Sequence, residues 1–326
     1  MRILLTGSSG WLGRSLAPRL REEGYHVVGL DVAPGAGTDV VGSVAERLLV
    51  DRIFADHGIE AVVHAGALHK PDIVRYPAQA FVDVNVTGTL NLLEAAAAAG
   101  NDRFVFTSTT SLMISESIRA GKAGGATRAA WLTEDSGPPE PRNVYGVTKR
   151  AAEQLCGLVH RESGLPVVVL RTGRFFPEED DTHRDLAGPN IKANEFLNRR
   201  LTVEDCAEAH MAALAKAPEV GFGLFIVSAP PPFAEADAQA LIEDAPAVIA
   251  RHFPHAAELY AHAGWQLPRH VDRVYDPSLA ERVLGFRCLT DFAAVLRAIE
   301  QGSALPFAHD PSYVSPKEPA GEGALC

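Results

Sequence analysis

A tyrosine and a lysine one helical turn apart are the residues of this chain best suited to proton transfer. The segment from Tyr145 to Glu162 has the apolar pattern of an amphipathic helix, and Tyr145 and Lys149 stand four residues apart in it. An ordinary tyrosine loses its proton only near about pH 10, so a tyrosine base needs a nearby positive charge. We predict that Lys149 supplies this charge, although the spacing alone is more typical of a solvent-facing pair.

A cluster of hydroxyl side chains follows the apolar run that starts at Phe104. This run predicts a strand over Phe104 to Thr107, and four hydroxyl residues come directly after it: Ser108, Thr109, Thr110 and Ser111. In an open α/β sheet, ligands bind beyond the carboxyl ends of the strands. We therefore expect these hydroxyls in the site, where one of them could hold a substrate oxygen. Each hydroxyl taken alone is equally typical of a turn or cap.

The amino-terminal stretch predicts a dinucleotide site. Ile3 to Leu5 form a short buried strand that runs into a glycine-rich turn and then a helix. Gly7 permits the turn, Gly10 lets the backbone approach a pyrophosphate, and Gly13 lets the helix pack closely. The phosphates would lie at the helix N-terminus. The predicted contacts here are Gly7, Ser9, Gly10, Trp11, Leu12 and Gly13.

Two further strand ends extend the predicted dinucleotide site. The strand His26 to Leu30 ends at Asp31, whose carboxylate could bind the adenosine ribose hydroxyls. No arginine or lysine follows closely that could hold a 2′-phosphate, so the sequence favours NAD over NADP. A later strand ends in small residues that would let the backbone lie against the cofactor. These predicted contacts are His64, Ala65, Gly66 and Ala67.

Length, net charge and cysteine content limit the classes of protein to which this chain can belong. The chain has 326 residues, of which 47% are hydrophobic, enough for one large domain or two joined lobes. A formal net charge of −11 argues against a nucleic-acid partner. No apolar run reaches membrane-spanning length and no signal-peptide pattern is present, so we expect a soluble cytoplasmic protein. The four cysteines lack metal-ligand spacing, and we expect reduced thiols and no metal.

Together these motifs resemble the extended short-chain dehydrogenases/reductases, the NAD-dependent epimerase/dehydratase family. The resemblance rests on the glycine-rich turn, the strand end at residues 64–67, the hydroxyl cluster and the Tyr145-x-x-x-Lys149 pair, and it spans most of the chain. It implies an α/β fold, a Rossmann-type doubly wound parallel sheet with a smaller C-terminal substrate-binding lobe. It also implies NAD as cofactor and a homodimer formed through two long helices, Ala78 to Ala99 and Tyr145 to Glu162.

The resemblance also implies roles for individual residues. Lys149 would bond the nicotinamide ribose, and Asn85 would belong to the cofactor site. Thr109 aligns with the hydroxyl that holds the substrate oxygen in the family, with Ser108 and Thr110 as alternatives. His69 and Lys70 occupy positions from which family members reach toward the substrate.

Departures from the family narrow the expected reaction. Dehydratases of the family carry an Asp-Glu pair after the catalytic threonine, where this chain has Thr110-Ser111. Sugar-nucleotide epimerases carry a Tyr-Gly pair and an Asn-x-Tyr-Gly-Pro motif, where this chain has Met113-Ile114 and residues 174–177. The connection from Arg174 to Asp205 is short and lacks the segment that grips a nucleotide diphosphate in those relatives. We therefore expect a smaller substrate.

Arg174 is a candidate for binding an anionic substrate. An arginine fork suits a carboxylate or phosphate, and such a site would resemble the family's uronate dehydrogenase branch. An ion pair between Arg174 and the acidic residues 178–181 is the alternative. We expect an NAD-dependent oxidoreductase acting on a small hydroxy compound, with an acidic sugar-like molecule as one candidate. An epimerase with tightly bound NAD is the alternative enzyme, and a dinucleotide-sensing protein is the alternative without catalysis.

The predicted organisation has two lobes and a tail. An NAD-binding domain would cover residues 1–171, and residues 201–227 would return to it. The substrate-binding lobe would consist of residues 172–200 and 228–300. Residues 301–326, rich in proline towards their end, would form an extended or disordered tail.

Overall fold

A parallel sheet forms the centre of the molecule. The computed structural model describes residues 1–115, 118, 127–137, 139–179 and 186–316. The strands of these residues are β1 (Arg2–Thr6), β2 (His26–Asp31), β3 (Val40–Val41), β4 (Ala61–His64), β5 (Phe104–Thr109), β6 (Ala130–Leu132), β7 (Val167–Thr172), β8 (Phe222–Val227) and β9 (Arg273–Tyr275). Seven of them form one sheet in the order β3-β2-β1-β4-β5-β7-β8, with every pair parallel. This arrangement confirms the predicted α/β class.

Helices cover both faces of this sheet and build a separate lobe. They are α1 (Trp11–Glu22), α2 (Arg47–His57), α3 (Ala78–Phe81), α4 (Gly88–Ala98), α5 (Val144–Ser163), α6 (Gly188–Glu195), α7 (Val203–Val220), α8 (Ala238–Glu243), α9 (Ala245–His252), α10 (Ala256–His262), α11 (Ser278–Leu284) and α12 (Phe292–Gln301). The strand order reverses between β1 and β4, so a crevice opens at the carboxyl ends of these two strands. Among the described residues, no helix combines the length and hydropathy needed to cross a membrane.

Apolar residues of the strands point to both sides, as a sheet covered on two faces requires. In β1, Ile3 and Leu5 pack with α1, α7 and α11, whereas Leu4 packs with α2, α4 and α5. A third apolar cluster lies apart from the sheet and joins α6, α8, α9, α10 and α12 with β9. Phe307, from the segment after α12, is buried in this third cluster.

The long helix predicted over residues 78–99 contains a π-helical turn. It is α-helical over α3 and α4, and the residues between them, Val82–Thr87, form the π turn. Asn85 lies in this turn, and its side chain bonds both the N–H and the C=O of Leu68 at 2.9 Å. A pattern of apolar residues does not reveal one extra residue in a helical turn, so the sequence predicted an uninterrupted helix.

One predicted boundary is also wrong by three residues. The strand predicted to end at Ala67 ends at His64. Residues 65–67 instead form a loop that lies directly against the backbone of Gly7.

Candidate active site

At two positions of the glycine-rich turn, neighbouring backbone atoms leave no room for a side chain. Gly7 has a φ of +74°, and a Cβ there would lie 2.7 Å from the Gly66 nitrogen. A Cβ on Gly13 would lie 2.1 Å from the Gly7 carbonyl oxygen. Both contacts are far inside van der Waals distance, so only glycine fits at these positions. The turn therefore brings the N-terminus of α1 to the carboxyl end of β1.

Asp31 is positioned by backbone groups at the carboxyl end of β2. Its Oδ2 accepts a hydrogen bond from the Ser9 N–H at 3.0 Å, and its Oδ1 accepts one from the Ala33 N–H at 3.0 Å. Burial raises the pKa of this carboxyl above its usual value, and the backbone bonds oppose that shift. The Ser9 hydroxyl donates to the Ala33 carbonyl at 2.9 Å and holds the same loop. The carboxylate is thus fixed at the edge of the crevice.

A cavity of about 420 Å³ runs along the crevice and joins these features. This volume lies within the usual range of small-molecule sites. Most of the predicted dinucleotide contacts line it, namely Gly7, Gly10, Trp11, Leu12, Gly13, Asp31, Ala65, Gly66, Ala67 and Lys149. Tyr145, Ser108 and His69 line the same cavity. The structure therefore brings the predicted cofactor and proton-transfer residues into one space.

Tyr145 lies at the start of α5, directly against the hydroxyl cluster. The Asn143 side chain caps this helix by accepting a hydrogen bond from the Gly146 N–H at 3.0 Å, which fixes the first turn. The Thr109 side chain lies close to the Tyr145 hydroxyl. Removal of the phenol hydroxyl from water raises the pKa of Tyr145 to about 12, the neighbouring Thr109 hydroxyl opposes this shift, and the negative charge of Asp72 adds to it.

Lys149 is buried one turn further along α5. Its Nζ lies 4.2 Å from the centroid of the Phe106 ring, and its side chain lines the cavity. Burial lowers the pKa of Lys149 to about 8, while the nearby Glu153 and Cys156 act in the opposite direction. We expected Lys149 to lower the pKa of Tyr145. The pKa of Tyr145 is raised instead, because burial of the phenol is the largest influence on it and the opposing influence comes from Thr109.

The three candidate hydroxyls of the cluster have different partners. The Ser108 Oγ donates to the Glu153 carboxylate at 2.6 Å, which is itself held by two hydrogen bonds from Arg171. The Thr110 Oγ1 donates to a backbone carbonyl, that of Thr172, at 3.2 Å. The Thr109 Oγ1 donates to the Ser111 Oγ at 3.0 Å, accepts from the Ser111 N–H at 3.1 Å, and lies close enough to the Tyr145 phenol to influence its pKa. Ser108 lines the cavity together with Tyr145, so both Ser108 and Thr109 are placed near the candidate proton-transfer group.

His64 and Asn85 do not line the cavity, although both were predicted to contact the cofactor. The two ring nitrogens of His64 lie 2.7 Å from the Thr6 hydroxyl and 3.0 Å from the Thr89 hydroxyl. Burial lowers the pKa of His64 well below its usual value. The Asn85 amide is occupied by Leu68, and its Nδ2 also donates to the Thr148 hydroxyl. His64 and Asn85 therefore support the segments that form the cavity wall without lining the cavity themselves.

His69 forms part of the cavity wall, whereas Lys70 does not line it. The His69 ring stacks on the Phe176 ring with centroids 4.8 Å apart, and its Nε2 lies 2.6 Å from the Ser315 hydroxyl. The buried Asp72 accepts a hydrogen bond from the His69 backbone N–H at 2.9 Å. Lys70 is exposed at the start of the short 3-10 turn Lys70–Val74.

Arg174 forms an ion pair that the sequence did not indicate. Its Nη1 lies 3.6 Å from a carboxylate oxygen of Glu195 in α6. The same buried carboxylate is 3.0 Å from Arg199 and 2.8 Å from Arg200. Of the acidic residues 178–181 that were the expected alternative partners, 180 and 181 lie outside the described residues.

The sequence profile of the NAD dependent epimerase/dehydratase family matches residues 3–221. The chain belongs to this family. The match covers the glycine-rich turn, the hydroxyl cluster and the Tyr145-Lys149 pair, and it confirms the predicted family and its NAD dependence.

Curated relatives of the family include both epimerases and dehydrogenases. A UDP-glucose 4-epimerase of Azospirillum brasilense is 31% identical over 179 residues, 52% of this chain and 48% of the relative. An L-arabinose 1-dehydrogenase (NAD(P)(+)) of Haloferax volcanii is 30% identical over 236 residues, 70% of this chain and 88% of the relative. The chain spans about half the length of the UDP-glucose 4-epimerases that it matches.

A solved family fold extends the likeness beyond the profile match. A short-chain dehydrogenase/reductase superfamily protein of Agrobacterium tumefaciens, crystallised with bound NAD, superposes with a TM-score of 0.64 at 24% identity. The superposition covers 92% of this chain and 96% of that chain. Most of the chain beyond residue 221, which lies outside the profile match, is therefore part of the shared fold.

Some cavity residues of this family member were not predicted. They are Asp72, Tyr76, Phe175, Phe176, Thr172, Tyr313, Ser315 and Pro316. Phe175 and Phe176 occupy part of the segment where the family's epimerases carry their Asn-x-Tyr-Gly-Pro motif, so their position was a usable signal. Tyr313 and Ser315 lie in the segment expected to be an extended or disordered tail, and no motif marks them.

Proposed function

We propose that the chain is an NAD-dependent dehydrogenase that moves a hydride between the nicotinamide and a small hydroxy compound. Tyr145 is the acid/base residue in this proposal. The supporting observation is that Tyr145, Lys149 and the glycine-rich turn line one cavity, with the Thr109 hydroxyl close to the phenol. A substrate hydroxyl placed there would meet both a proton acceptor and a hydrogen-bonding partner.

The residues present fit a dinucleotide. Gly7 and Gly13 leave no room for a side chain between the turn and α1, so the N-terminus of α1 borders the cavity directly, and a helix N-terminus suits a pyrophosphate. The fixed carboxylate of Asp31 suits ribose hydroxyls. Lys149 and the small residues 65–67 would border the nicotinamide half. When bound, NAD supplies the hydride acceptor or donor.

The side chains of the site would divide the proton chemistry among them. Tyr145 accepts the proton of the substrate hydroxyl during oxidation and returns it during reduction. Since burial raises the pKa of Tyr145 to about 12, the phenol holds its proton at neutral pH and is ready to act as an acid. Oxidation requires the phenolate, which the Lys149 ammonium stabilises once both groups face the same substrate. Thr109 orients the substrate oxygen.

A small anionic substrate fits the segment after β7. The chain passes from Thr172, which lines the cavity, through Arg174 and the two stacked rings of Phe175 and Phe176. The Arg174 side chain is 31% exposed, so its guanidinium remains reachable from solvent. A guanidinium binds a carboxylate with charge-assisted hydrogen bonds. We therefore propose a hydroxy acid, such as a uronic acid, as the substrate class.

An epimerase with tightly bound NAD is the second candidate, favoured by the 31% identity to a UDP-glucose 4-epimerase. Absorbance at the NADH band separates the two reactions. Purified chain is incubated with NAD⁺ and uronic acids, other hydroxy acids, neutral sugars and UDP-sugars in turn. Net accumulation of NADH with a hydroxy acid supports the dehydrogenase. Conversion of a UDP-sugar with no net NADH would establish the epimerase and reject our proposal.

Replacement of Arg174 tests the substrate class. We expect Arg174→Ala to raise the KM for the best acidic substrate about tenfold, because a charge-assisted hydrogen bond is lost. The KM for a neutral substrate should stay within twofold. Arg128→Ala, which removes an exposed arginine paired with Glu235, is the matched control. An unchanged KM for the acidic substrate in Arg174→Ala would reject Arg174 as the anion-binding residue.

We also propose a cytoplasmic homodimer that pairs through α4 and α5. These helices pack on each other, and Val147 and Leu158 on α5 are 52% and 40% exposed. The two residues lie on one face of α5 about three turns apart, and exposed apolar side chains on one helix face favour a second copy as their cover. Light scattering on the eluting protein measures the mass, and a monomer at micromolar concentration would contradict the proposal.

A further inference from the structure

The chain after α12 crosses from the lobe to the nucleotide-binding half. We call residues 307–316 the strap. At its first end, the Phe307 ring stacks on Phe196 with centroids 5.5 Å apart. His309 follows, and its Nδ1 lies 3.0 Å from the Lys192 Nζ. The Asp310 N–H then donates to the Pro177 carbonyl at 2.9 Å. This end of the strap is therefore anchored on the lobe and on the segment after β7.

The other end of the strap reaches the glycine-rich turn and the cavity wall. The Tyr313 ring meets the Trp11 ring edge-on with centroids 5.3 Å apart, and the Arg14 guanidinium lies within 6 Å of both rings. The Ser315 hydroxyl lies 2.6 Å from the His69 Nε2. Tyr313 and Ser315 both line the cavity. Trp11 directly follows Gly10, so this end closes over the predicted pyrophosphate position.

We propose that the strap is a part of the binding site that retains the dinucleotide. It is fixed to one wall through Phe307 and Asp310 and to the opposite wall through Tyr313 and Ser315. A dinucleotide in the cavity would lie beneath it, and could leave only after Tyr313 separates from Trp11 and Ser315 separates from His69. The inference uses the family's cofactor and needs no assumption about the role of Tyr145.

Among the described residues, the contacts at the cavity end of the strap differ from those at its lobe end. Trp11, Arg14 and His69 contact it at the cavity, whereas Phe307 is buried in the apolar cluster of the lobe. Segments with few buried apolar contacts open locally while the rest of the fold stays intact. The cavity end of the strap would thus open while the strap remains attached at Phe307.

The rate of NADH release tests this proposal. Protein loaded with NADH is mixed with excess NAD⁺ in a stopped-flow instrument, and the loss of bound-NADH fluorescence is followed. We expect Tyr313→Ala to release NADH about tenfold faster than the wild-type chain, since altered closure acts mainly on dissociation. Val314→Ala is the matched control, because Val314 is the neighbouring residue and is 53% exposed. Its release rate should stay within twofold of the wild-type rate.

A shortened chain and an amide hydrogen-exchange measurement distinguish an effect of the strap from misfolding of the Tyr313→Ala variant. A chain that ends at Asp310 keeps the lobe anchor and should release NADH at least as fast as Tyr313→Ala. Linkage is reciprocal: if the closed strap holds the dinucleotide in the cavity, the bound dinucleotide must in turn stabilise the closed strap. Saturating NAD⁺ should therefore slow amide hydrogen exchange in the 308–316 peptide of the wild-type chain at least fivefold.

Three results would overturn the proposal. They are release rates within twofold of wild type in both variants, equal acceleration by Val314→Ala, and amide exchange in the 308–316 peptide that NAD⁺ does not change. None of these measurements involves turnover, so they remain decisive even if Tyr145 proves not to be the acid/base residue.

Discussion

The two halves of the cavity are built from different parts of the chain. In the nucleotide half, the shape is set by backbone: the Gly7 turn lies against Gly66, and two N–H groups hold the Asp31 carboxylate. Around Tyr145, the shape is set by side chains from separate segments, including Ser108 and His69. Where backbone atoms form the cavity wall, few substitutions are tolerated, and the same wall suits any enzyme that binds a dinucleotide. Where side chains form the wall, substitutions can change the substrate while the sheet stays the same.

The largest effect is expected in the side-chain half. Tyr145→Phe should lower kcat about a thousandfold, because it removes the only group proposed to exchange a proton with the substrate hydroxyl. The ring and its packing remain, so the Kd for NAD⁺, measured by titration, should stay within twofold. Steady-state kinetics measures the loss. Activity above a tenth of the wild-type value would remove Tyr145 from its proposed role.

Two neighbouring hydroxyls sharpen the comparison within the same half. Thr109→Ala should lower kcat about a hundredfold, since it deletes the hydroxyl beside Tyr145. Ser108→Ala deletes a bond to the buried Glu153 carboxylate instead. It should leave kcat within threefold and lower the free energy of unfolding by about 1–2 kcal/mol. Kinetics and urea unfolding on both variants decide the assignment, and the opposite pattern would make Ser108 the substrate partner.

A pair of glycines tests the backbone half. Gly7 and Gly24 have similar positive φ values, +74° and +83°, but only Gly7 has backbone atoms close to where a Cβ would stand. Both alanine substitutions carry the conformational strain, and Gly7→Ala adds the clash with Gly66. We expect Gly7→Ala to be less stable than Gly24→Ala by about 2 kcal/mol in urea unfolding.

The two glycine variants should also differ in binding. Gly7→Ala should weaken NAD⁺ binding at least tenfold, whereas Gly24→Ala should leave it unchanged. If Gly7→Ala and Gly24→Ala were equally stable and bound NAD⁺ equally well, the backbone at Gly66 would be able to move away from a Cβ at position 7.

The smallest effect concerns a buried histidine beneath the sheet. The two ring nitrogens of His210 lie 2.7 Å from the Cys206 carbonyl and 2.7 Å from the Thr107 hydroxyl, and burial lowers the pKa of His210 to about 4. The unfolded chain takes up a proton near pH 6.5, which the folded chain resists. Stability from this group is therefore complete above pH 6.5 and is lost as the pH falls towards 4.

Between pH 7.5 and 5.5 this loss amounts to about 1 kcal/mol of unfolding free energy. His210→Gln should flatten the pH dependence of urea unfolding by that amount, whatever its effect on stability at pH 7.5. His255→Gln, which replaces an exposed histidine, is the control. An identical slope in His210→Gln and the wild-type chain would contradict the assignment.

The sequence predicted the backbone half of the cavity more completely than the side-chain half, and the reason is physical. A tight turn against a neighbouring strand demands glycine at fixed spacing, so Gly7 and Gly13 are visible in the sequence itself. The carboxyl end of a strand locates Asp31 equally well. The pairing of Tyr145 with Lys149 was also predicted, because a helix fixes which residues share a face.

What the sequence could not predict depends on contacts between distant segments. His64 is the last residue of a strand and stands next to cavity residues, but Thr6 and Thr89 occupy its ring nitrogens. Arg174 has acidic neighbours in sequence, but it also pairs with Glu195 in α6, which is distant in sequence. The strap has no periodic pattern, and only tertiary contacts order it.

Because of the π turn at Val82–Thr87, the number of residues in this helix affects the geometry of the site. Deletion of one residue there would convert the stretch to regular α-helix and rotate α3 by about 100° relative to α4. The Asn85 amide would then swing away from Leu68, and the loop it holds would lose its support. Relatives aligned with a gap in this stretch thus present different side chains to the same loop. Insertions and deletions there are as informative about ligand choice as substitutions inside the cavity.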